Sequence, residues 1–275
     1  MIQNEIAFIG GGNMTRALIG GLRRQDWPAG ALRVSDPSAS ARAGLEEAFP
    51  GVRVTADNLA AAEGATTWVL AVKPQQMHAV ATSLAATAAR TGPLVISIAA
   101  GIRRDDLTGW LGPSVPVLRC MPNRPALLGC GITAIHRAPD VAATLQQRAE
   151  QVLSAAGECV WLEDESLLDA VTAVSGSGPA YLFLLVEMLE AAAVAEGIDA
   201  PTARRLALHT VYGASRMALE SGEQPAVLRA QVTSPGGTTA AALAVLEEAG
   251  IRATFARAVH AATERSRMLS GQATK

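Results

Sequence analysis

The sequence predicts an α/β N-terminal domain, a doubly wound, Rossmann-like parallel sheet, followed by an all-α C-terminal domain. Three observations lead there. Residues 5–12 read EIAFIGGG and pass directly into Asn13-Met14-Thr15-Arg16, so an apolar strand runs into three glycines and then a helix. Up to about residue 163, short apolar runs alternate with helical patterns, the rhythm of parallel strands joined by crossover helices. Past Glu163-Asp164 the strand patterns vanish, which divides the chain into 1–163 and 164–275.

After the opening strand and helix, residues 32–35 form a short strand, 38–48 a helix stopped by Pro50-Gly51, and 52–55 a third strand. Residues 66–72, TTWVLAV, are continuously apolar, the signature of a strand buried on both faces. Pro74 suits the first turn of a helix through residue 90. The buried-strand pattern repeats at 94–98 and ends at Ala99-Ala100-Gly101. Residues 115–120, 132–136 and 158–161 read as further strands, with a helix over 141–156 between the last two. The C-terminal part holds helices at 179–196, 200–220, 225–231, 239–249 and 252–269. The first of these is apolar around nearly its whole circumference, from Tyr181 to Leu189, and is expected to be buried. About 110 residues can hardly surround such a helix, so a second subunit is expected to cover it.

With 275 residues, 49% hydrophobic and 17% charged, the chain is globular and long enough for a sizeable core. A net charge of −2 without a basic run gives no footprint for nucleic acid. Cys120, Cys130 and Cys159 lack metal or redox spacing, so reduced, buried thiols and no metal site are expected. The N-terminus lacks the basic region of a signal peptide, and the longest apolar stretch, 180–186, is too short to span a bilayer. The expected location is the cytoplasm. The chain carries only Lys73 and Lys275, so any catalytic lysine would have to be Lys73.

The opening turn is built to bring bare backbone to a pyrophosphate. Gly10 serves the turn, Gly12 the close contact, and helix N–H groups point at the anion. Thr15 stands where the G-x-G-x-x-G/A pattern usually has glycine or alanine. Asn58, the Ala71-Val72-Lys73-Pro74-Gln75 segment, Ala99-Ala100-Gly101 and Cys120-Met121-Pro122-Asn123 follow other strand ends, the edge where open α/β sheets bind ligands. Asp36 follows the second strand, where an acid takes a ribose 2′-hydroxyl; Asp36-Pro37-Ser38 also reads as a helix cap. Ser35, Ser38 and Arg42 could instead serve a 2′-phosphate. In the helical part, residues 232–239 (VTSPGGTT) end where a helix begins. Successive N–H groups there, uncovered by two glycines, form a carboxylate or phosphate cradle, unless Thr238 or Thr239 simply caps the helix. Residues 175–181, SGSGPAY, similarly open the long apolar helix.

FIGGGNM, AVKPQ, SIAAG, RCMPN with Pro125, GSGPAY and SPGGTT, in this order, resemble the pyrroline-5-carboxylate reductase family, and the likeness spans essentially the whole chain. That resemblance implies reduction of the cyclic imine 1-pyrroline-5-carboxylate to L-proline with NADPH or NADH, the last step of proline biosynthesis. It also implies assembly through the C-terminal helices as dimers, or decamers built of dimers. By similarity, Ile9, Gly10, Gly11, Gly12, Asn13, Met14, Asn58, Ala71, Val72, Lys73, Pro74, Ala99 and Ala100 bind the cofactor. Ser234, Gly237, Thr238 and Thr239 hold the substrate carboxylate, with the Thr239 hydroxyl near the ring nitrogen. Arg124 and Thr15 depart from the family pattern.

An iminium needs orientation more than a strong acid, so a site without a dedicated lysine or histidine suits this chemistry. His78, His136, His209 and His260 have no partners at ligand spacing, and Glu187 reads as an interface carboxylate. The alternatives are another imine or β-hydroxyacid oxidoreductase, or a non-catalytic dinucleotide-binding protein. Hydroxyacid enzymes resemble one another in using a lysine early in the helical domain, and this chain has none there.

Overall fold

A computed structural model describes residues 5–272. Eight strands form one sheet in the order β3-β2-β1-β4-β5-β6-β7-β8. They are β1 Ile6–Ile9, β2 Leu32–Ser35, β3 Arg53–Thr55, β4 Thr67–Leu70, β5 Leu94–Ser97, β6 Val117–Met121, β7 Gly131–His136 and β8 Gly157–Leu162. The first six are parallel neighbours. β7 departs from the expected all-parallel sheet by running antiparallel to β6, with Cys120 opposite Ile135. The connection from β6 to β7 explains this: only a short 3₁₀ turn at Arg124–Leu128 lies between them, too little chain for a crossover helix.

β1, β4 and β5 are buried along their whole length, because helices cover both faces of the sheet. Strand alternation then divides the core in two. Ile6, Phe8, Val34, Val69, Ile96 and Leu118 pack on one face with Leu18 and Leu22 of α1 (Asn13–Arg24), Leu45 of α2 (Ala39–Ala48) and Val152 of α6 (Ala143–Leu153). Ala7, Ile9, Trp68, Leu70, Val95 and Val117 pack on the other. Their partners are α3 (Asn58–Ala62), α4 (Pro74–Thr91) and α5 (Arg104–Leu111). α3 and α5 are absent from the sequence reading; both are short, and α5 hides behind the polar run Arg103 to Asp106. Pro74 opens α4 and Gly92, at φ 57°, closes it.

Two compact units emerge. The first takes in the chain through Gly176 and regains it at Ala262; the second is Ser177–Ala261. This moves the expected boundary at 163/164. The short helix α7 (Leu167–Val171) and the turn Thr172–Gly176 bury Leu168, Asp169 and Ala173 in the sheet-bearing unit, as does the end of α12 (Ile251–Gln272) with Ser266 and Ser270.

The helical unit comprises α8 (Gly178–Ala195), α9 (Ala200–Glu220), α10 (Pro225–Gln231), α11 (Thr238–Glu248) and the first part of α12. Gly197 ends the α8 region at φ 92°, and Asp199 caps α9 by accepting the Thr202 N–H at 3.1 Å. α8 packs on α9, yet has no buried residue. Within one protomer the expected burial is therefore absent: Phe183 is 63% and Met188 54% exposed. With the preceding segment, residues 167–195 make a helical run that is longer than the expected 180–186 stretch, contains an 18-residue window of mean hydropathy 1.5, and is sufficient by length and composition to cross a bilayer.

Candidate active site

The strand order reverses between β1 and β4, the switch point where an open α/β sheet receives a ligand. Gly10 lies there at φ 106°, its N–H donating to Ser35 O at 2.8 Å. A Cβ at Gly10 would stand 2.7 Å from Ala71 O, and one at Gly11 would stand 2.6 Å from Leu45 Cδ1, so neither position has room for a side chain. Gly12 differs. Nothing lies within 4 Å of its missing Cβ, and it opens α1 without any side-chain cap. The first-turn N–H groups of Asn13, Met14 and Thr15 have no partner among the described residues and gather the positive end of the helix dipole. This is an anion cradle with open space before it.

Thr15 has a structural role that its departure from the glycine pattern conceals. Its hydroxyl is buried and donates to Gly10 O at 2.5 Å, pinning the turn from below. Asp36 is likewise committed: Oδ2 accepts the Gly11 N–H and Oδ1 the Ser38 N–H, each at 2.8 Å. The cap of α2 is Ser38, not Asp36. The sequence named Asp36 but not this use of it, because nothing in the spacing of residues 11 and 36 reveals a hydrogen bond between them.

The structure gathers the other expected cofactor residues at the carboxyl ends of β1 to β5. Asn58 begins α3, half-buried, after the Asp57 cap. Ala71 and Val72 are half-buried, and exposed Lys73 caps α4 ahead of Pro74. Ala99 is buried and Ala100 exposed at the end of β5. Ser35 and Ile9 are fully buried within their strands. Ser35 acts through the carbonyl that holds Gly10; at the surface beside it lie Ser38 and Arg42, whose Nη1 donates to the Asp36 and Pro37 carbonyls. Asn123 is structural too, donating to Ser175 O at 3.2 Å and accepting the Ile132 N–H at 2.9 Å.

Ser234, Gly237, Thr238 and Thr239 come together separately, at the start of α11 in the helical unit. The hydroxyl-capping alternative is not what forms: Gly237 is the cap, and no side chain bonds the helix end. Gly236 turns the chain at φ 70°, and Gly237 donates to Ser234 O at 3.1 Å. A Cβ at Gly237 would meet Ser234 Oγ at 2.6 Å, which keeps this position bare. The N–H groups of Thr238, Thr239 and Ala240 have no partner among the described residues. Three unbonded N–H groups at a bare helix start, beside the Ser234, Thr238 and Thr239 side chains, form an anion cradle.

The cysteines lie elsewhere and are unpaired. Burial pushes the Cys120 thiol far up and raises Cys159 to about 11, while Cys130 is exposed, against the expectation that all three are buried. His136 is buried with Nδ1 unpaired; His78 stacks edge-on with Trp110 at 5.0 Å. Among the described residues, no three His, Cys, Asp or Glu side chains gather as metal ligands.

Comparison with known proteins adds an independent axis. A family model described as pyrroline-5-carboxylate reductase dimerisation matches residues 165–269, and one described as NADP oxidoreductase, coenzyme F420-dependent, matches residues 5–101. The pyrroline-5-carboxylate reductase of Pseudomonas aeruginosa is 48% identical over 99% of both chains. The solved structure of a pyrroline-5-carboxylate reductase from Coxiella burnetii is 38% identical with a TM-score of 0.92, covering 97% of this chain and 98% of its own. The Plasmodium falciparum pyrroline carboxylate reductase, solved with NADP bound, is 28% identical with a TM-score of 0.85 over 98% of this chain and 99% of its own.

Proposed function

This chain belongs to the pyrroline-5-carboxylate reductase family, and from that premise we propose how its own residues carry out the reduction of 1-pyrroline-5-carboxylate to L-proline. It is an NAD(P)H-dependent oxidoreductase acting on a C=N bond, and it self-associates. The observation that carries the residue assignment is the pair of glycine-opened helix starts, at α1 and α11, each with unpaired N–H groups and no side-chain cap.

The cradle at Gly12, Asn13 and Met14 holds the pyrophosphate of NADPH or NADH, with Asn58, Ala71 to Pro74 and Ala99-Ala100 along the rest of the dinucleotide. NADPH is favoured by the NADP oxidoreductase match and by the NADP bound to the Plasmodium relative. When bound, the nicotinamide supplies a hydride to C5 of the imine. The N–H groups of Thr238 and Thr239, with Ser234 and Gly237 shaping the bend, fix the substrate carboxylate. Charge-assisted bonds of this kind contribute about 1.5–3 kcal/mol each. The Thr239 hydroxyl accepts the iminium N–H, which orients C5 for the hydride, and can donate to the lone pair that forms as the ring nitrogen becomes an amine. The ring nitrogen of the product retains the proton of the iminium, so the residues orient rather than supply a strong acid.

Self-association buries the apolar surface of α8 against a second copy, in a dimer that can build a decamer. This occupant, rather than a bilayer, accounts for the apolar run of residues 167–195, which lies wholly inside the dimerisation match and contains Asp169, Glu187 and Glu190. The protein acts in the cytoplasm on small molecules and does not bind nucleic acid. Loss of NADPH absorbance on adding pyrroline-5-carboxylate, with L-proline as product, tests the whole reading. An enzyme that binds NADPH yet leaves the imine untouched would instead be a dinucleotide-binding protein.

A further inference from the structure

Two acids in the segment leading through α7 are committed to the loop after β5. Glu165 Oε1 accepts the backbone N–H of Arg104 at 2.8 Å and pairs with Nη1 of Arg119, buried on β6, at 3.0 Å. Asp169, four residues on, is buried and faces α12. Its Oδ1 accepts the Ser266 hydroxyl at 2.6 Å and lies 3.2 Å from the Ser270 hydroxyl, both serines being buried. The backbone of Ser270 and Leu269 lies in turn against Gly101. A Cβ at Gly101 would meet Ser270 N at 3.5 Å and Leu269 C at 3.6 Å, and its φ is 78°. The loop at 99–104 is thus bonded to Glu165 at Arg104 and flanked at Gly101 by the turn of α12 that Asp169 fixes. All of these groups belong to the sheet-bearing unit.

We propose that Asp169 is a positioning residue for the nicotinamide dinucleotide: by fixing the end of α12 through Ser266 and Ser270, it holds the Ala99-Ala100-Gly101 turn where the cofactor needs it. The inference rests on the assignment of Ala99 and Ala100 to cofactor binding. A buried carboxylate spent on neutral hydroxyls gains less than one paired with arginine, and its geometry fixes the Ser266-to-Ser270 turn of α12. Removing the carboxylate leaves the buried Ser266 hydroxyl short of an acceptor, leaves Ser270 bonded to the Ser266 carbonyl, and loosens the helix turn beside Gly101.

The test compares Asp169→Ala, Asp169→Asn and Ser266→Ala in the full-length oligomer. Steady-state kinetics with NADPH varied are read beside direct NADPH binding without substrate. Asp169→Ala raises both KM and Kd for NADPH about fivefold, with kcat within about twofold of wild type. Asp169→Asn keeps an acceptor oxygen and restores both constants to within about twofold. Ser266→Ala moves the same constants in the same direction by a smaller factor. A fall in kcat with NADPH affinity unchanged, or no change at all, would overturn the proposal. So would an Asn variant as impaired as the Ala one. If Asp169→Ala does not fold, Ser266→Ala carries the test, and unchanged NADPH affinity there is decisive against the proposal. Wild-type protein that binds NADPH but does not reduce the imine would sink the catalytic reading alone, since binding still reports on Asp169.

Discussion

The two units treat apolar surface in opposite ways. In the sheet-bearing unit Phe8, Ile9, Trp68, Leu70 and Ile96 are fully buried between strands and helices, and the unit completes its own core. In the helical unit Phe183, Leu184, Met188, Val245 and Phe255 are all more than half exposed, and only Ala203 and Ala207 among its apolar residues are buried. Exposed apolar area of this extent marks an interface. The difference teaches that the first unit is a self-sufficient nucleotide platform and the second is half of an assembly. The positive-φ glycines of the two turns repeat the contrast: a Cβ at Gly10 would meet the Ala71 carbonyl, whereas one at Gly236 would have nothing within 4 Å.

The sharpest way to break this comparison is to charge the exposed face of α8. Phe183→Glu with Met188→Glu should weaken self-association by about 4 kcal/mol or more, on the order of a thousandfold in the dimer dissociation constant. Sedimentation over a concentration series reads it directly. A dimer of unchanged affinity would mean that α8 is covered by something else.

Gly10→Ala should come next, at about 2–4 kcal/mol, because it combines a positive φ with a Cβ that meets the Ala71 carbonyl. Thermal unfolding and NADPH titration should both register the loss. Gly236→Ala keeps only the φ penalty and should cost about 1 kcal/mol in stability. Equal damage from the two would show that packing does not separate the turns.

Most of the sheet-bearing unit was legible in the sequence because its strands are buried on both faces and read as unbroken apolar runs. TTWVLAV announces β4, and Pro74 announces the start of α4. What was hidden depends on chain segments far apart. The antiparallel turn of β7 follows from a short connection, not from its own residues. Asp169 meets Ser266 across 97 positions, and no local pattern points to it. At the site, the glycines were visible because only glycine fits; the burial of Ser35 was not, because a serine at a strand end looks the same whether it faces solvent or core. Asp36 was visible as an acid at the right place, but its bond to Gly11 was not.

Thr239→Ala probes the bare turn rather than the walled one. Loss of a hydrogen bond that strengthens as the ring nitrogen becomes an amine should cost about 2 kcal/mol, roughly thirtyfold in kcat/KM for the imine. NADPH affinity should stay within about twofold, since the dinucleotide cradle keeps all its donors. Unchanged kinetics would remove Thr239 from the reaction and leave the α11 N–H groups as a carboxylate holder only.

Thr15→Val closes the series with a small effect and the cleanest geometry. Valine has nearly the shape of threonine, so the buried packing of α1 on the sheet is kept while the bond to Gly10 O is lost. The carbonyl then sits buried without its donor, which should cost about 1–2 kcal/mol in stability. Because Gly10 is also held by Ser35 O through its own N–H, the turn should keep its shape, and NADPH affinity should fall by no more than about fivefold. Unfolding midpoints and NADPH titration on the same samples separate the two quantities. Loss of cofactor binding with full stability would mean that the Thr15 hydroxyl touches the dinucleotide itself, and the walled turn would then be a ligand contact where the packing now makes it a support.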